Sequence, residues 1–245
     1  PYIDGEQFIF NRKAKRLNPG EYKFNPQLGY ISLNQRLNDN QFLAVSYSYT
    51  IAGSDQVYKV GEFSEESSVL VTKMLKSNTM VKTTSPMWDL MMKNIYPMNA
   101  NQIQQENFLL NVYYRDNSSG GKVNYLPGIT TPDNNLLKTV NWDRLNLNND
   151  IQAENGVFGD GIFDFVPGLT IEPEQGKLIF TKVQPFGKTM SDLIESLPNS
   201  NSIDAKQYVY TDLYTKLKET AKQSNLAQRY TIERRTRSRY FDGCY

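Results

Sequence analysis

The stretch from Asn146 to Asp164 carries the densest set of side chains able to do chemistry. Asn146, Asn148, Asn149 and Asp150 come first, and Asp160-Gly161-Ile162-Phe163-Asp164 closes it. Clustered carboxylate and amide oxygens among glycines suit a hard cation such as calcium. Asp150, Asp160 and Asp164 are the candidate ligands. The Asp-x-Asx-x-Asx-Gly spacing of an EF-hand is not met, and the bidentate Glu at its end is missing. The competing account is a run of Asx turns, whose side chains bond backbone close to themselves. That account is preferred, and the chain is expected to need no cofactor.

Asp160-Gly-Ile-Phe-Asp164 is also superficially similar to the catalytic strand of family 18 chitinases. That strand needs a general-acid Glu two residues after its last Asp. The position here is Val166, and Glu172 lies beyond Pro167-Gly168, so glycosidase chemistry is set aside. The chain has no histidine and a single cysteine, Cys244. Ser-His-Asp and Cys-His catalysis and His- or thiolate-ligated zinc are thereby excluded, as is an internal disulfide. No enzymatic activity is expected.

The formal net charge is +1, so no global field draws the chain to nucleic acid. Basic residues do cluster locally, at Arg12, Lys13, Lys15 and Arg16 and at Arg229, Arg234, Arg235, Arg237 and Arg239. They read as exposed strand or tail positions rather than a phosphate-binding face. Trp88 with Met87, Met91 and Met92 could offer a soft binding surface, but an aromatic and methionine stripe at helical spacing reads first as core. The 16 tyrosines are scattered over alternating positions that half-bury against neighbours. Asn117-Ser-Ser119 fits a glycosylation acceptor, which matters only in a eukaryotic secretory context.

The elements that hold these residues read as short strands interrupted by helices. Tyr22 and Phe24 alternate before Asn25-Pro26, and Leu28–Leu33 follows as a second strand. Residues 42–51 lead through Gly53-Ser54-Asp55 into 56–60 as a hairpin. A second hairpin fits 107–114 with 122–126, and a third strand pair fits 169–171 with 177–183. Helices are predicted over 66–76, over 86–95 after Ser85-Pro86, and over 187–197. A long C-terminal helix is predicted over about 203–224, capped by Ser202, with Val209, Leu213, Leu217 and Ala221 on one face. This order predicts an α+β fold: a β-rich mixed domain with antiparallel hairpins and three or four interspersed helices. Residues 1–245 are expected to form one module, or two if a seam falls near 127–135. No apolar run approaches the roughly 20 residues of a membrane-spanning helix, so the chain is expected to be water-soluble. Its opening, Pro1-Tyr2-Ile3-Asp4-Gly5, suits a processed secreted protein or a fragment of a longer chain.

Several blocks, taken in order, resemble one family. Asn18-Pro-Gly-Glu-Tyr22 and Asn25-Pro-Gln-Leu-Gly-Tyr-Ile-Ser-Leu-Asn34 begin the series. Val60-Gly-Glu-Phe63, Trp88-Asp-Leu-Met-Met-Lys-Asn94 and Asp160-Gly-Ile-Phe-Asp-Phe165 continue it. Gly176-Lys-Leu-Ile-Phe180, Pro185-Phe-Gly187, Tyr208-Val-Tyr210 and Leu213-Tyr214 complete it. In this order the chain resembles the SprA/Sov family, the very large outer-membrane proteins of Bacteroidetes. Residues 225–245 match nothing in that pattern.

The resemblance implies a part in type IX secretion and gliding motility, in which a very large β-barrel passes folded cargo across the outer membrane. This chain lacks the series of long alternating strands that a barrel needs. It would therefore be a mainly aqueous portion attached to the barrel, periplasmic or extracellular, that plugs, gates or docks. Its partners would be the rest of the barrel chain, secretion-system accessory proteins and secreted cargo, and not nucleic acid. The resemblance supplies no catalytic residues. The alternative is a stand-alone cell-surface module that binds carbohydrate or protein.

Overall fold

Turn chemistry fixes the first hairpin. In the computed structural model the Asn25 Oδ1 accepts the N–H of Gln27 and of Leu28, at 3.1 and 2.9 Å, and Gly29 takes φ +67°. This closes strand β1 (Tyr22–Asn25) onto β2 (Tyr30–Leu33), antiparallel, with Tyr22 opposite Leu33. The structure describes residues 3–4, 8–63, 69–116, 118–129, 134–151, 158–200 and 203–236. Its two units are Pro1–Met92 and Lys93–Tyr245. The division thus falls at Met92/Lys93, and the seam considered near 127–135 lies inside the second unit, with residues 130–133 outside the described residues.

The first unit continues with β3 (Leu43–Val45), β4 (Tyr47–Thr50), β5 (Val57–Val60) and β6 (Lys73–Lys76). β4 and β5 form the expected hairpin, and β3 pairs with β6 antiparallel. The helix predicted over 66–76 is not found: residues 73–76 are strand, and 64–68 lie outside the described residues. The β-branched residues nearby favour extended backbone, and the Lys76 ammonium fastens the strand to the carbonyls of Asn38, Asp39 and Gln41. Helix α1 (Pro86–Asp89) starts as read, with Ser85 accepting the Met87 N–H and Pro86 in the first turn. It stops after one turn, because the chain from Asn94 onward is taken into a sheet of the second unit.

The second unit holds β7 (Ile95–Pro97), β8 (Phe108–Arg115), β9 (Lys122–Val123), α2 (Leu136–Thr139), β10 (Ile171–Glu172) and β11 (Lys177–Ile179). Next come α3 (Lys188–Glu195), a 3-10 turn (Ala205–Gln207), α4 (Asp212–Thr215), α5 (Lys218–Lys222) and β12 (Tyr230–Thr236). Its sheets are ordered β10-β11-β7 and β12-β8-β9, antiparallel throughout. Alternation along β8 sends Phe108, Leu110, Val112 and Tyr114 inward. They join Trp142, Phe163, Phe180, Phe186, Met190 and Ile194 in one apolar core.

The fold is therefore α+β and strand-rich, built of antiparallel sheets with few helices and no barrel among the described residues. The long C-terminal helix is a correction, for the segment breaks into the 3-10 turn, α4 and α5. Tertiary bonds win over helical periodicity here. The Tyr210 N–H donates to the Phe186 carbonyl at 2.7 Å, and Lys216 and Leu217 are extended, with ψ 162° and 148°. Ser202, the expected cap, lies outside the described residues. No helix among the described residues is long and apolar enough to cross a membrane.

Candidate functional site

The acidic stretch singled out in the sequence folds into a reciprocal clamp in the second unit. Asp143, fully buried, accepts the N–H of Asp160 on one carboxylate oxygen and that of Gly161 on the other, each at 2.9 Å. Asp164 reaches back the other way. Its carboxylate accepts the N–H of Arg144 at 2.6 Å and of Leu145 at 3.2 Å, while its own N–H donates to the Trp142 carbonyl. Each of two chain segments thus supplies the acceptor for the other's amides. Gly159, at φ +82°, passes so close that a Cβ would lie 2.1 Å from the Asp143 Oδ1. The clamp rests on aromatic packing, with Trp142 stacked on Phe180 at 3.9 Å and edge-on to Phe163 at 5.3 Å. The Trp142 indole N–H donates to the Ile179 carbonyl.

Burial pushes the Asp143 carboxyl up to about 6, against the opposing pull of its two amide bonds. Asp164 is raised by the same cause. Paired carboxylates with raised pKa values are a common mark of a reactive site. Here both carboxylates are bonded by backbone N–H groups, so the arrangement holds a loop crossing in place.

The three residues named as calcium ligands are not gathered. Asp164 faces the amides of Arg144 and Leu145. Asp160 is exposed, and its Oδ1 accepts the Ile162 N–H within its own turn. Asp150 is exposed and enters its turn through its backbone, because the Asn146 Oδ1 accepts the N–H of Asn148 and Asp150. Among the described residues no three carboxylates converge in a way that could hold a metal ion. Asp143 was missed in the sequence. Its signal was its place beside Trp142, which becomes informative only once the loop from Gly159 onward is known to cross it.

The first unit presents a different kind of surface. Among its described residues the buried apolar side chains are Tyr30, Met87 and Trp88. Phe8, Phe10, Phe24, Ile51, Val57 and Met80 are instead exposed, Met80 to 81%. All four residues of β4 are exposed. Tyr49 stacks on Tyr58 across the hairpin at 5.2 Å, and Tyr47 lies 6.2 Å from Tyr49. The methionine stripe divides, with Met87 and Trp88 buried and Met91 and Met92 exposed. Asn117 lies outside the described residues, as do Arg237 and Arg239. No protein-family model matches the chain, and no curated protein matches it.

Proposed function

We propose that the chain is a structural and interaction module of an outer-membrane protein-export translocon of the SprA/Sov kind, and not an enzyme. The observation that carries this reading is the uncovered apolar surface of the first unit. Among the described residues its sheets are two-stranded, two of them hairpins and the third pairing β3 with β6, and two-stranded sheets are marginal in water without something packed against them. A contiguous exposed apolar patch marks a face for another protein. The ordered sequence blocks supply the identity of the assembly. Those of the second unit, around Phe163, Phe180, Phe186 and Tyr210, share one core. The module would sit on the periplasmic or extracellular side of the outer membrane, against the barrel of its parent chain, accessory proteins or cargo.

The test is an in-frame deletion of residues 1–92 in the producing organism, with cargo export and co-purification of secretion components as readouts. Loss of both is expected while the barrel chain remains in the membrane. Undiminished export would reject the proposal. A second reading, a carbohydrate- or protein-binding surface module, is favoured by the Tyr47, Tyr49 and Tyr58 ladder. Glycan binding by the isolated chain, lost on Tyr49→Ala, would select it. Trp88 is buried and offers no face for this role.

A further inference from the structure

β12 is the outer strand of its sheet, with β8 on one side and no strand on the other among the described residues. The register gives the direction of its backbone groups. The Arg115 N–H donates to the Arg229 carbonyl at 2.8 Å, and the pairs run on through Val112↔Ile232 and Leu110↔Arg234. In an antiparallel ladder, bonded and non-bonded pairs alternate. Thr231 and Glu233 therefore bond β8, while Ile232 and Arg234 turn their N–H and C=O groups to the open edge.

A cavity of about 530 Å³ lies beside this edge. Tyr230, Ile232 and Arg234 line one side of it, and Tyr96, Pro97 and Leu213 are among the residues around it. On β8 the same face is covered, with Leu110 and Val112 exposed to 3% and 0%. On β12 Ile232 is half-buried and Arg234 is exposed. The core face of the sheet continues one strand further than its cover. The tyrosine hydroxyls nearby are engaged, Tyr96 with the Lys93 carbonyl, Tyr210 with that of Ala221 and Tyr230 with that of Tyr208. Among the described residues Arg234 is the one charged side chain lining the cavity. Its guanidinium lies 5.4 Å over the Phe108 ring, and no carboxylate among the described residues pairs with it. Pro97 has no N–H to offer an incoming backbone.

We infer that β12 accepts an extended segment of a partner protein as an added antiparallel strand. The segment carries an acidic residue opposite Arg234 and, two and four residues later, apolar side chains that enter the cavity. Addition to a free sheet edge takes affinity from backbone hydrogen bonds and selectivity from alternate side chains. This inference concerns the second unit and does not depend on the translocon reading.

The probe is a fluorescein-labelled peptide, Thr-Glu-Thr-Leu-Thr-Val-Thr-amide, titrated with the full chain and followed by anisotropy. Saturable binding is expected. Replacing the peptide Glu by Lys weakens it at least about tenfold, as loss of a charge-assisted bond requires. N-methylation of the Leu amide, which faces β12, weakens it similarly, while N-methylation of the preceding Thr, which faces away, leaves it within about twofold. The Arg234→Glu variant prefers the Lys peptide. No saturable binding at millimolar concentration overturns the inference, and so does equal tolerance of the two N-methyl positions. The N-methyl pair needs only the unaltered chain, so it decides the matter even where Arg234→Glu fails to fold.

Discussion

Asp143→Asn probes the clamp at its centre. The variant keeps one carbonyl oxygen and sets an NH2 group where the second oxygen stood, so one of the two amides at 2.9 Å meets a donor. Losing a bond to a charged acceptor costs about 1.5–3 kcal/mol, and a stranded buried N–H about 1–3. Against this the variant removes a desolvated charge. A carboxyl raised to about 6 sits roughly two units above its ordinary value, or about 3 kcal/mol, and relaxation around the buried charge leaves about half. The net expectation at neutral pH is a loss of about 2 kcal/mol.

The pH dependence has a definite sign. The folded pKa is raised, so this contribution is full below about pH 4 and is lost as pH rises through 6. The variant lacks that slope, so its deficit against the parent grows from pH 7 to pH 5. The assay is urea unfolding followed by Trp142 emission in a Trp88→Phe background, which leaves one of the two tryptophans. Asp160→Asn is the control, because its exposed carboxylate bonds only its own turn. Asp143→Asn within about 0.5 kcal/mol of that control at both pH values would refute the clamp, since surface substitutions ordinarily fall in that range.

The glycines beside the clamp should differ sharply. Gly159→Ala meets Asp143 at 2.1 Å and should cost at least about 2 kcal/mol, whereas Gly161→Ala, with open space around it, should cost only the strain of positive φ, about 1 kcal/mol; equal losses in urea unfolding would contradict this. Adding calcium or a chelator should leave the thermal midpoint unchanged, because Asp164 is bonded to amides and Asp150 and Asp160 are exposed in their own turns; a rise in calcium alone would restore the metal reading. Burial raises Tyr96 to about 12 and lifts Tyr214 and Tyr230 as well. The Tyr96 contribution is intact below about pH 10 and is lost as pH rises through 12. Tyrosinate absorbance and loss of Trp142 emission should therefore move together above pH 10, and well-separated curves would argue against the packing described.

The hairpins were legible because their turns are local chemistry. Asn25 with Gly29 fixes one, and another rests on Asp116, whose carboxyl is held well below its usual range by the Ser118 and Ser119 hydrogen bonds. The short helix α3 was also readable, over nearly the predicted span. Pairings between distant residues were hidden. β6 was read as helix because its partner β3 lies a long way back in the chain, and β12 was left as exposed strand or tail positions because its partner β8 lies further back still. The spacing of Val209, Leu213, Leu217 and Ala221 fits a helix, yet it carries no sign that Phe186 will claim the Tyr210 amide. In the candidate site the acidic oxygens were found, but their partners were not. Backbone amides leave no mark on composition, and they take up Asp143 and Asp164.

The pairing of β12 with β8 sets a schedule for synthesis. The ribosome releases Phe108–Arg115 well before Tyr230–Thr236. At about 5–20 residues per second the delay runs to roughly 6–24 s. Throughout that interval Leu110 and Val112 belong to a strand whose long neighbour does not yet exist, and any factor that binds extended apolar chain can hold it there. The sheet of the second unit waits on β12, so a nascent chain stopped ahead of Tyr230 leaves β8 with the short β9 as its sole strand neighbour among the described residues.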